Sequence, residues 1–526
     1  MALIVVVATA AAFIGCRREP QLPTSTPGAV GDRLRQWWRE GSAAGNLGDF
    51  YDNRDGGHSD FDLSQWPQIE RVAYSDEFRK QRWNYGPQTV LLPHVVFGNS
   101  STAYEPTAGG SNPTFYYESW KEGLPFLDQQ YRGNNIYVYP AHHDYSPGHN
   151  GTPQGFGDLY PTNTPYLIIS QGSSHSDQPF LHAIAAVLAA FHSDVKRTLA
   201  ENGMLIPTVQ WLLRSTNKQL RGPNDYFSGK AHPSAFDAGH LDELAAVEKA
   251  HALTADALPP LVNLRVVTEE EPKAGVDYFD PAFTERLADS HGVIARIFRG
   301  REYWRRLVVS AEDSVDLNKR PLSFRWVVLR GEQGKTIVTP QNSQGAVAAI
   351  DVAWQPRHVV TDGSDLESNR VDVGVFASNG LNDSPPAFVT FFTLDSEKRI
   401  YDTDGRIVEI DYDPTNFVAP RLSAPKAWRD VYRYDSVGRC VGWTRYENSR
   451  QSEFDASGNL VLEKDALGRS RKARTVRYEQ AAHAGDVNPN PLRWRSAGQV
   501  VEYEYAGDAD FIGHVVATKP EPAATP

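Results

Sequence analysis

The stretch "PYLIISQGSSHSDQPFLHAIAAVLAAF", residues 165–191, decides the fold of the first part of the chain. A short apolar run typical of a buried strand is followed by a Ser/Gly/His loop, and apolar residues then recur at helical spacing over 180–199. Ser176 or Asp177 can cap this helix, and Asn202-Gly203 can end it. A strand, a loop and a helix in this order predict an α/β (or α+β) N-terminal domain.

The loop and the segment before it gather the residues that could do chemistry. Five of the chain's 15 histidines lie within or just beyond residues 140–180. Neutral imidazoles together with a carboxylate suit zinc or another transition ion, so a divalent metal is a possible cofactor, although no known ligand spacing is present. The candidate metal ligands are His142, His143, His149 and Asp177.

Nucleophilic hydrolysis is a second hypothesis for the same region. A serine between a strand and a helix N-terminus lies where backbone N–H groups can stabilise an oxyanion. The loop lacks Gly-x-Ser-x-Gly, so it is not the nucleophile elbow of α/β-hydrolases. Two alternatives involve no catalysis. In the first, the loop caps the helix and its histidines lie at the surface. In the second, a non-catalytic pocket lies at the end of the strand. The candidates are Ser173 or Ser174 as nucleophile, His175 or His143 as base, and Asp144 or Asp158 as its orienting group.

An acidic loop, "FYDNRDGGHSDFD", occupies residues 50–62. It groups Asp52, Asp55, Asp60 and Asp62, and oxygen-rich loops of this kind can hold calcium. The spacing of an EF-hand is absent. We therefore favour a cluster of turn-forming residues over a calcium site.

The N-terminal segment indicates where the protein works. The apolar run 2–15 would span about 21 Å as a helix, which is short for a bilayer core of about 30 Å but suits a signal-peptide h-region. Phe13-Ile14-Gly15-Cys16 resembles the lipobox of bacterial lipoproteins. The resemblance implies cleavage before Cys16, a lipid on its thiol, and an exported protein anchored to a membrane of the bacterial cell envelope. A secreted protein without lipid, or a buried N-terminal strand, are the alternatives.

Composition limits the remaining possibilities. The chain has 526 residues, enough for several cores, and a net charge of −12, which argues against nucleic acid as a partner. Two cysteines exclude a disulfide framework. If Cys16 carries lipid, Cys440 is the remaining thiol, and we expect it to be a small buried hydrophobe.

The stretch "LVVSAEDSVDLNKRPLSFRWVVLRG", residues 307–331, begins a β-rich module. Short alternating strands surround an Asp/Asn turn, and "RVDVGVFASNG" and "PAFVTFFTL" follow. The pattern resembles PKD-type immunoglobulin-like domains, which show an Asp-rich turn before an aromatic-x-Trp strand. The resemblance implies a two-sheet sandwich with Trp326 in its core. The matching residues are Asp313, Asp316, Asn318, Phe324 and Trp326, and we expect the acidic ones to cap the turn rather than to bind calcium.

A repeat follows over residues 398–480. "YDTDGR" at 401, "YDSVGR" at 434, "FDASGN" at 454 and "KDALGR" at 464 share Asp, two residues, Gly, then Arg or Asn. Aspartate can start a turn and glycine supplies the positive φ that the turn needs, so each unit predicts a β-hairpin. The pattern resembles the YD repeats of Rhs-type extracellular proteins. The basic stretch "GRSRKARTVR", residues 468–477, is a solvated face or a patch for acidic glycans or lipid head groups.

Together these patterns predict a multidomain chain. The lead hypothesis is a lipid-anchored bacterial envelope protein with a binding or structural role toward envelope or extracellular polymers, with a polysaccharide or protein as partner. The alternative is a hydrolase, metal-dependent or of the Ser/His type, that uses residues 140–180. The predicted segments are a signal peptide (1–16), a tether (17–29), the α/β-like domain (30–265), a linker (266–299), the PKD/Ig-like sandwich (300–394), the YD-like hairpin domain (395–510) and a disordered tail (511–526).

Overall fold

The computed structural model contains one parallel sheet with helices, followed by several mostly antiparallel sheets. It describes residues 21–54, 59–74, 91–99, 123–140, 161–172, 174–360, 367–412, 422–480 and 491–522. Its helices are α1 (Ala29–Glu40), α2 (Gly123–Arg132), α3 (Gln178–Ala190), α4 (Ser193–Glu201), α5 (Leu205–Ser215) and α6 (Glu243–His251).

The N-terminal domain is α/β, as the sequence predicts. Its five strands pair in parallel in the order β2-β1-β3-β4-β5, so that their carboxyl ends meet at one edge. Helix α3 is apolar nearly all round and packs in the core of this domain. The strands are β1 (Asp49–Asn53), β2 (Glu70–Arg71), β3 (Val95–Asn99), β4 (Asn135–Pro140) and β5 (Ile168–Ser170).

The single helix predicted to run on to Asn202-Gly203 is wrong. It is two helices, α3 and α4, because the backbone of Phe191 is extended at the end of α3. The apolar periodicity continues across the break since Val195 and Leu199 of α4 face the same core as α3. The apolar spacing therefore reflects burial in one shared core rather than one continuous helix.

A two-sheet sandwich follows the α/β domain. One sheet has the order β10-β15-β16-β8-β7 and the other β11-β12-β9-β6, and residues of both form one core. The pairing of β10 with β15 joins the two stretches that the sequence identified as strands. The strands are β6 (Arg265–Glu269), β7 (Arg286–Asp289), β8 (Val293–Phe298), β9 (Trp304–Ser310), β10 (Ser323–Arg330), β11 (Thr336–Pro340), β12 (Val347–Ala353), β15 (Arg370–Ser378) and β16 (Ala387–Thr393), with a separate pair β13 (His358–Val359) and β14 (Glu367–Ser368).

The sandwich begins before residue 300, so the structure differs from the linker expected over 266–299. Strands β6, β7 and β8 come from this segment. All six residues of β8, "VIARIF", are buried, because the strand lies between β7 and β16 and is covered on both faces. A strand covered on both faces shows no alternation of polar and apolar residues, so the sequence pattern did not predict it.

Trp326 does not occupy the centre of the sandwich core. It is half-buried on the edge strand β10 and its Nε1 donates to the carbonyl oxygen of Gly345 at 2.6 Å. Asp316 acts at the turn, as expected, because its carboxylate accepts the backbone N–H of Arg320 at 2.8 Å.

The C-terminal module is one sheet of nine antiparallel strands in chain order, β17 to β25. The tail was expected to be disordered, but its residues 514–520 form β25 and pair with β24, so that part of the expectation is wrong. Main-chain pairing holds this segment, which its composition does not reveal. The strands are β17 (Lys398–Tyr401), β18 (Ile407–Tyr412), β19 (Trp428–Tyr434), β20 (Cys440–Glu447), β21 (Arg450–Asp455), β22 (Leu460–Lys464), β23 (Ser470–Glu479), β24 (Arg493–Glu504) and β25 (His514–Pro520).

The four repeated turns have one geometry. In each, one aspartate oxygen accepts the backbone N–H groups two and four residues later, at 2.8–3.1 Å, and the glycine has φ between 76° and 84°. In three turns the arginine also donates its Nε–H to the other aspartate oxygen. The hairpins that the repeat predicts are therefore present. The turn aspartates are Asp402, Asp435, Asp455 and Asp465.

Cys440 and the basic stretch 468–477 both lie in the hairpin sheet. Cys440 is half-buried rather than enclosed, and Arg301 donates an N–H to its Sγ at 3.2 Å. In the basic stretch 468–477, Arg469, Lys472 and Arg474 each pair with a carboxylate. Most of that positive charge is therefore neutralised within the sheet.

A buried cation lies where the α/β domain meets the sandwich. Arg214 of α5 is fully buried, has no carboxylate partner among the described residues, and lies over the rings of Phe236 and Phe388. Burial lowers its pKa to about 10. His232 lies 3.3 Å from its guanidinium, and burial, followed by the charge of Arg214, lowers the pKa of that imidazole well below its usual value.

We expect acid to weaken the folded state through His232. Below about pH 6.5 the unfolded chain binds a proton that the folded chain refuses, so stability falls as the pH falls from about 7 to 5. In His232→Gln the decrease of the melting temperature over this range should be smaller. The exposed His240→Gln is the control and should keep the original slope. Equal slopes in all three proteins, measured by thermal melts, would contradict the assignment.

The positive φ of the repeated turns also gives a test. Gly468 has φ 78° and open space where a Cβ would stand, so Gly468→Ala costs only backbone strain, about 1–2 kcal/mol. Leu467→Ala, an exposed residue of the same turn, should change stability by less than about 0.5 kcal/mol. Urea unfolding followed by circular dichroism measures both. A neutral Gly468→Ala would show that the turn tolerates another conformation.

Candidate functional site

The carboxyl edge of the parallel sheet brings together two motifs that lie far apart in sequence. The acidic segment 50–62 begins within β1 and continues past its carboxyl end, and the Ser/His loop follows β5. The backbone N–H of His175 donates to Ser59 Oγ at 2.8 Å, and the side-chain amide of Gln178 donates to the carbonyl oxygen of Asp60 at 3.2 Å. Parallel strands end at the same edge, and ligands of open α/β sheets bind there. This edge is therefore the candidate site.

Asp177 is the most unusual group of the site. Its side chain is fully buried at the start of α3, and neither carboxylate oxygen has a partner with full hydrogen-bond geometry, although the side chains of Ser59 and Asn99 lie near enough to act on it as donors. Burial raises the pKa of this carboxyl group, and the neighbouring side chains of Ser59 and Asn99 offset the rise only in part. A buried carboxylate with incomplete hydrogen bonding costs stability, which distinguishes Asp177 from the paired carboxylates of the chain.

The expected capping of α3 by Ser176 or Asp177 does not occur. No side chain caps this helix. The hydroxyl of Ser176 pairs instead with that of Ser170 at 2.9 Å. The first turn is closed by the backbone, since the N–H groups of Phe180 and Leu181 donate to the carbonyl oxygen of Asp177.

Two residues beside Asp177 have unusual backbone conformations. Ser59 has φ 51° and His175 has φ 75°, the left-handed region that residues with a Cβ avoid. These two residues are hydrogen-bonded to each other. Strain of this kind persists only where the surroundings fix it, and it concentrates at functional sites.

Asn99, at the end of β3, ties the cluster to the sheet. It is fully buried, its Oδ1 accepts the hydroxyl of Tyr51 at 2.6 Å, and its amide approaches the carbonyl oxygen of Ser59 at 3.4 Å. The sequence analysis did not identify Asn99 or Ser59. A polar residue closing the apolar run "VVFGN", residues 95–99, was the available signal.

A second buried carboxylate lies on the other face of the sheet. Asp52 follows Tyr51 in β1, so their side chains point to opposite faces. One oxygen of Asp52 accepts hydrogen bonds from Arg54 Nε at 2.8 Å, Tyr74 at 2.7 Å and Tyr137 at 2.6 Å. Its other oxygen, Oδ1, is buried without a partner. Both faces of this edge thus hold an acceptor that the chain does not satisfy.

The structure describes only some of the candidate site residues that the sequence predicts. Ser174 and His175 are exposed in the loop before α3, and the described residues show no hydrogen bond between the two side chains. Across the described ranges, no group of three or more His, Cys, Asp or Glu residues could hold a metal ion. The remaining candidates lie outside the described residues: Cys16, His142, His143, Asp144, His149, Asp158 and Ser173.

Comparisons with known proteins were made at three levels. No family model matches the chain, and no curated protein matches it. Among solved structures it is similar to a chain described as a nucleoside hydrolase-related hypothetical protein from Saccharophagus degradans that is associated with carbohydrate metabolism. The identity is 12%, the alignment covers 57% of this chain and 71% of the other, and the TM-score is 0.18. A similarity this weak carries no argument about fold or function.

The unsatisfied carboxylate of Asp177 predicts a stabilising substitution. Its raised pKa means that the folded state prefers the neutral acid, so the ionised form weakens the fold as the pH rises through that pKa. Asp177→Asn should raise the melting temperature near neutral pH by roughly 2 °C or more and reduce its decline between acid and neutral pH. Asp237→Asn, at an exposed aspartate, is the control. A lower melting temperature for Asp177→Asn would mean that the carboxylate has a stabilising partner.

Proposed function

We propose that this chain is an exported bacterial envelope protein, lipid-anchored through Cys16, that binds envelope or extracellular polymers. The lipobox-like Phe13-Ile14-Gly15-Cys16 supports export and attachment to a membrane. Within the part of the chain that the structure describes, no helix is long and apolar enough to cross a membrane. The proposed attachment is a lipid on the chain's N-terminal segment.

We place the specific ligand site at the carboxyl edge of the N-terminal sheet. The observation that carries this is the buried carboxylate of Asp177, which has no cation partner and whose burial Ser59 and Asn99 offset only in part. The free oxygen of Asp52 supports it from the other face. In their ionised forms these groups only accept hydrogen bonds, so a ligand that pairs with the carboxylates must supply donors. Polymers rich in hydroxyl or amide groups fit this requirement.

The two β modules would act as spacer and interaction surface. We propose that the sandwich is of the PKD type, which its Asp-rich turn and the adjacent β10 strand support. The hairpin sheet would be of the YD type, because its four turns share one hydrogen-bond pattern. Fold resemblance alone is only an indirect argument for function.

Hydrolysis at the same edge is the second candidate. Burial raises the pKa of Asp177, as in carboxyl groups that work as general acids or bases. The adjoining strained pair, Ser59 and His175, favours a site shaped for more than packing. Chemistry through His143, Asp144, Asp158 or Ser173, or through a metal at His142 and His149, belongs to this candidate.

A co-sedimentation assay separates the two candidates. The full chain is mixed with insoluble peptidoglycan sacculi and with an insoluble neutral exopolysaccharide, and both depletion from solution and release of soluble sugar are measured. Binding without release, lost in Asp177→Asn but kept in Asp237→Asn, is the result we expect. We expect the loss to be at least tenfold in affinity, because a charged acceptor is removed.

Sugar release that Asp177→Asn abolishes would establish the hydrolase instead. Binding that Asp177→Asn leaves unchanged would remove the carboxyl edge from the function. The absence of both binding and release, with the protein folded, would overturn the polymer hypothesis.

A further inference from the structure

A shallow pocket opens on the nine-stranded sheet, away from the carboxyl edge of the N-terminal domain. It lies between the turn after β21, the turn after β22 and the loop that follows β24. Val441 and Val461 supply apolar lining, and Tyr505 and Phe511 supply aromatic lining. Such a mixture of apolar surface with a few polar groups is typical of ligand sites.

The Tyr505 side of the aromatic wall is held in place by the protein itself. The hydroxyl of Tyr505 donates to the carbonyl oxygen of Ser470 at 2.6 Å, and the guanidinium of Arg469 lies 4.1 Å from the centre of its ring. Arg469 is itself held by Asp465 at 2.7 Å. Phe511 is about one-third exposed. A rigid, partly exposed ring face costs little entropy on binding.

One polar group in the pocket has no partner. The hydroxyl oxygen of Ser470 is buried without a hydrogen bond. Next to it in the lining, the carboxylate of Asp455 accepts the hydroxyl of Tyr503 at 2.7 Å, as well as two backbone N–H groups. A hydroxyl group of a ligand could donate to or accept from Ser470, beside the Asp455 carboxylate.

Two cations of the rim share one carboxylate. Arg433 and Lys464 both contact the same oxygen of Glu453, Arg433 at 3.2 Å. No second carboxylate pairs with either of them among the described residues. The rim is therefore complementary to an anionic group, whereas the floor at Asp455 favours hydroxyl donors.

We propose that this pocket binds one acidic sugar unit of an extracellular polymer, with the sugar carboxylate at Arg433 and Lys464 and its hydroxyl groups at Ser470 and Asp455. A uronic acid has both kinds of group on one ring. The ring lies against Tyr505 and Phe511. This site is separate from Asp177 and does not depend on ligand binding there.

Calorimetric titration of the full chain with galacturonate tests the proposal. Galactose is the matched neutral sugar, and acetate is the bare carboxylate. Galacturonate should bind at least tenfold more tightly than either, and Lys464→Gln and Ser470→Ala should each weaken it by roughly tenfold or less. Lys519→Gln is the control, since Lys519 lies on the same sheet, pairs with Glu502 and is outside the pocket.

Each of the other outcomes would contradict one part of the proposal. Equal binding of galactose would remove the role of the charged rim, and equal binding of acetate would make this a general anion site rather than a sugar site. Weakening by Lys519→Gln as much as by Lys464→Gln would place binding outside the pocket. No binding of galacturonate would overturn the proposal. Asp177→Asn should bind galacturonate normally, so failure here is distinguishable from failure at the carboxyl edge.

Discussion

Burial of strand β8 on both faces holds the modules together. Val293 and Ala295 belong to the core of the α/β domain, whereas Ile294 and Phe298 belong to the core of the sandwich. Ile297 packs with Leu422, which precedes β19 of the hairpin sheet. A strand whose alternate residues enter different cores couples those cores, because moving one exposes apolar surface of the other. The sheets of the chain are therefore not structurally independent of one another.

Buried charges at the junctions are compensated in different ways. In the hairpin sheet, Arg445 and Asp430 form a fully buried pair at 2.7 Å. Burial lowers the pKa of Arg445, but the Asp430 carboxylate more than reverses this effect and raises it. Phe279, from the segment between β6 and β7, lies over the guanidinium, so a residue of the sandwich region completes the core of the hairpin sheet. Arg214 at the other junction has aromatic rings and neutral acceptors instead.

The carboxyl edge of the parallel sheet contrasts with these junctions. There the carboxylate of Asp177 is also buried, yet no cation pairs with it, and Ser59 and Asn99 offset the cost of its burial only in part. A chain that pairs Asp430 and Asp372 with arginines could have paired Asp177 as well. Leaving an acceptor unsatisfied lowers stability and prepares it for a ligand, the usual trade-off at functional sites. This difference is the reason why we propose the ligand site at the edge rather than at the junctions.

The sequence by itself determined the elements whose cause is local. The Asp and Gly of each repeated turn fix its geometry through bonds within five residues, and the apolar spacing of 180–199 fixes a helical face. Only the tertiary structure decided that β8 is a strand, that the helical face is divided at Phe191, and that Ser59 and Asn99 surround Asp177. Those features depend on contacts between residues far apart in the chain, and a local pattern records burial but not the partner that provides it.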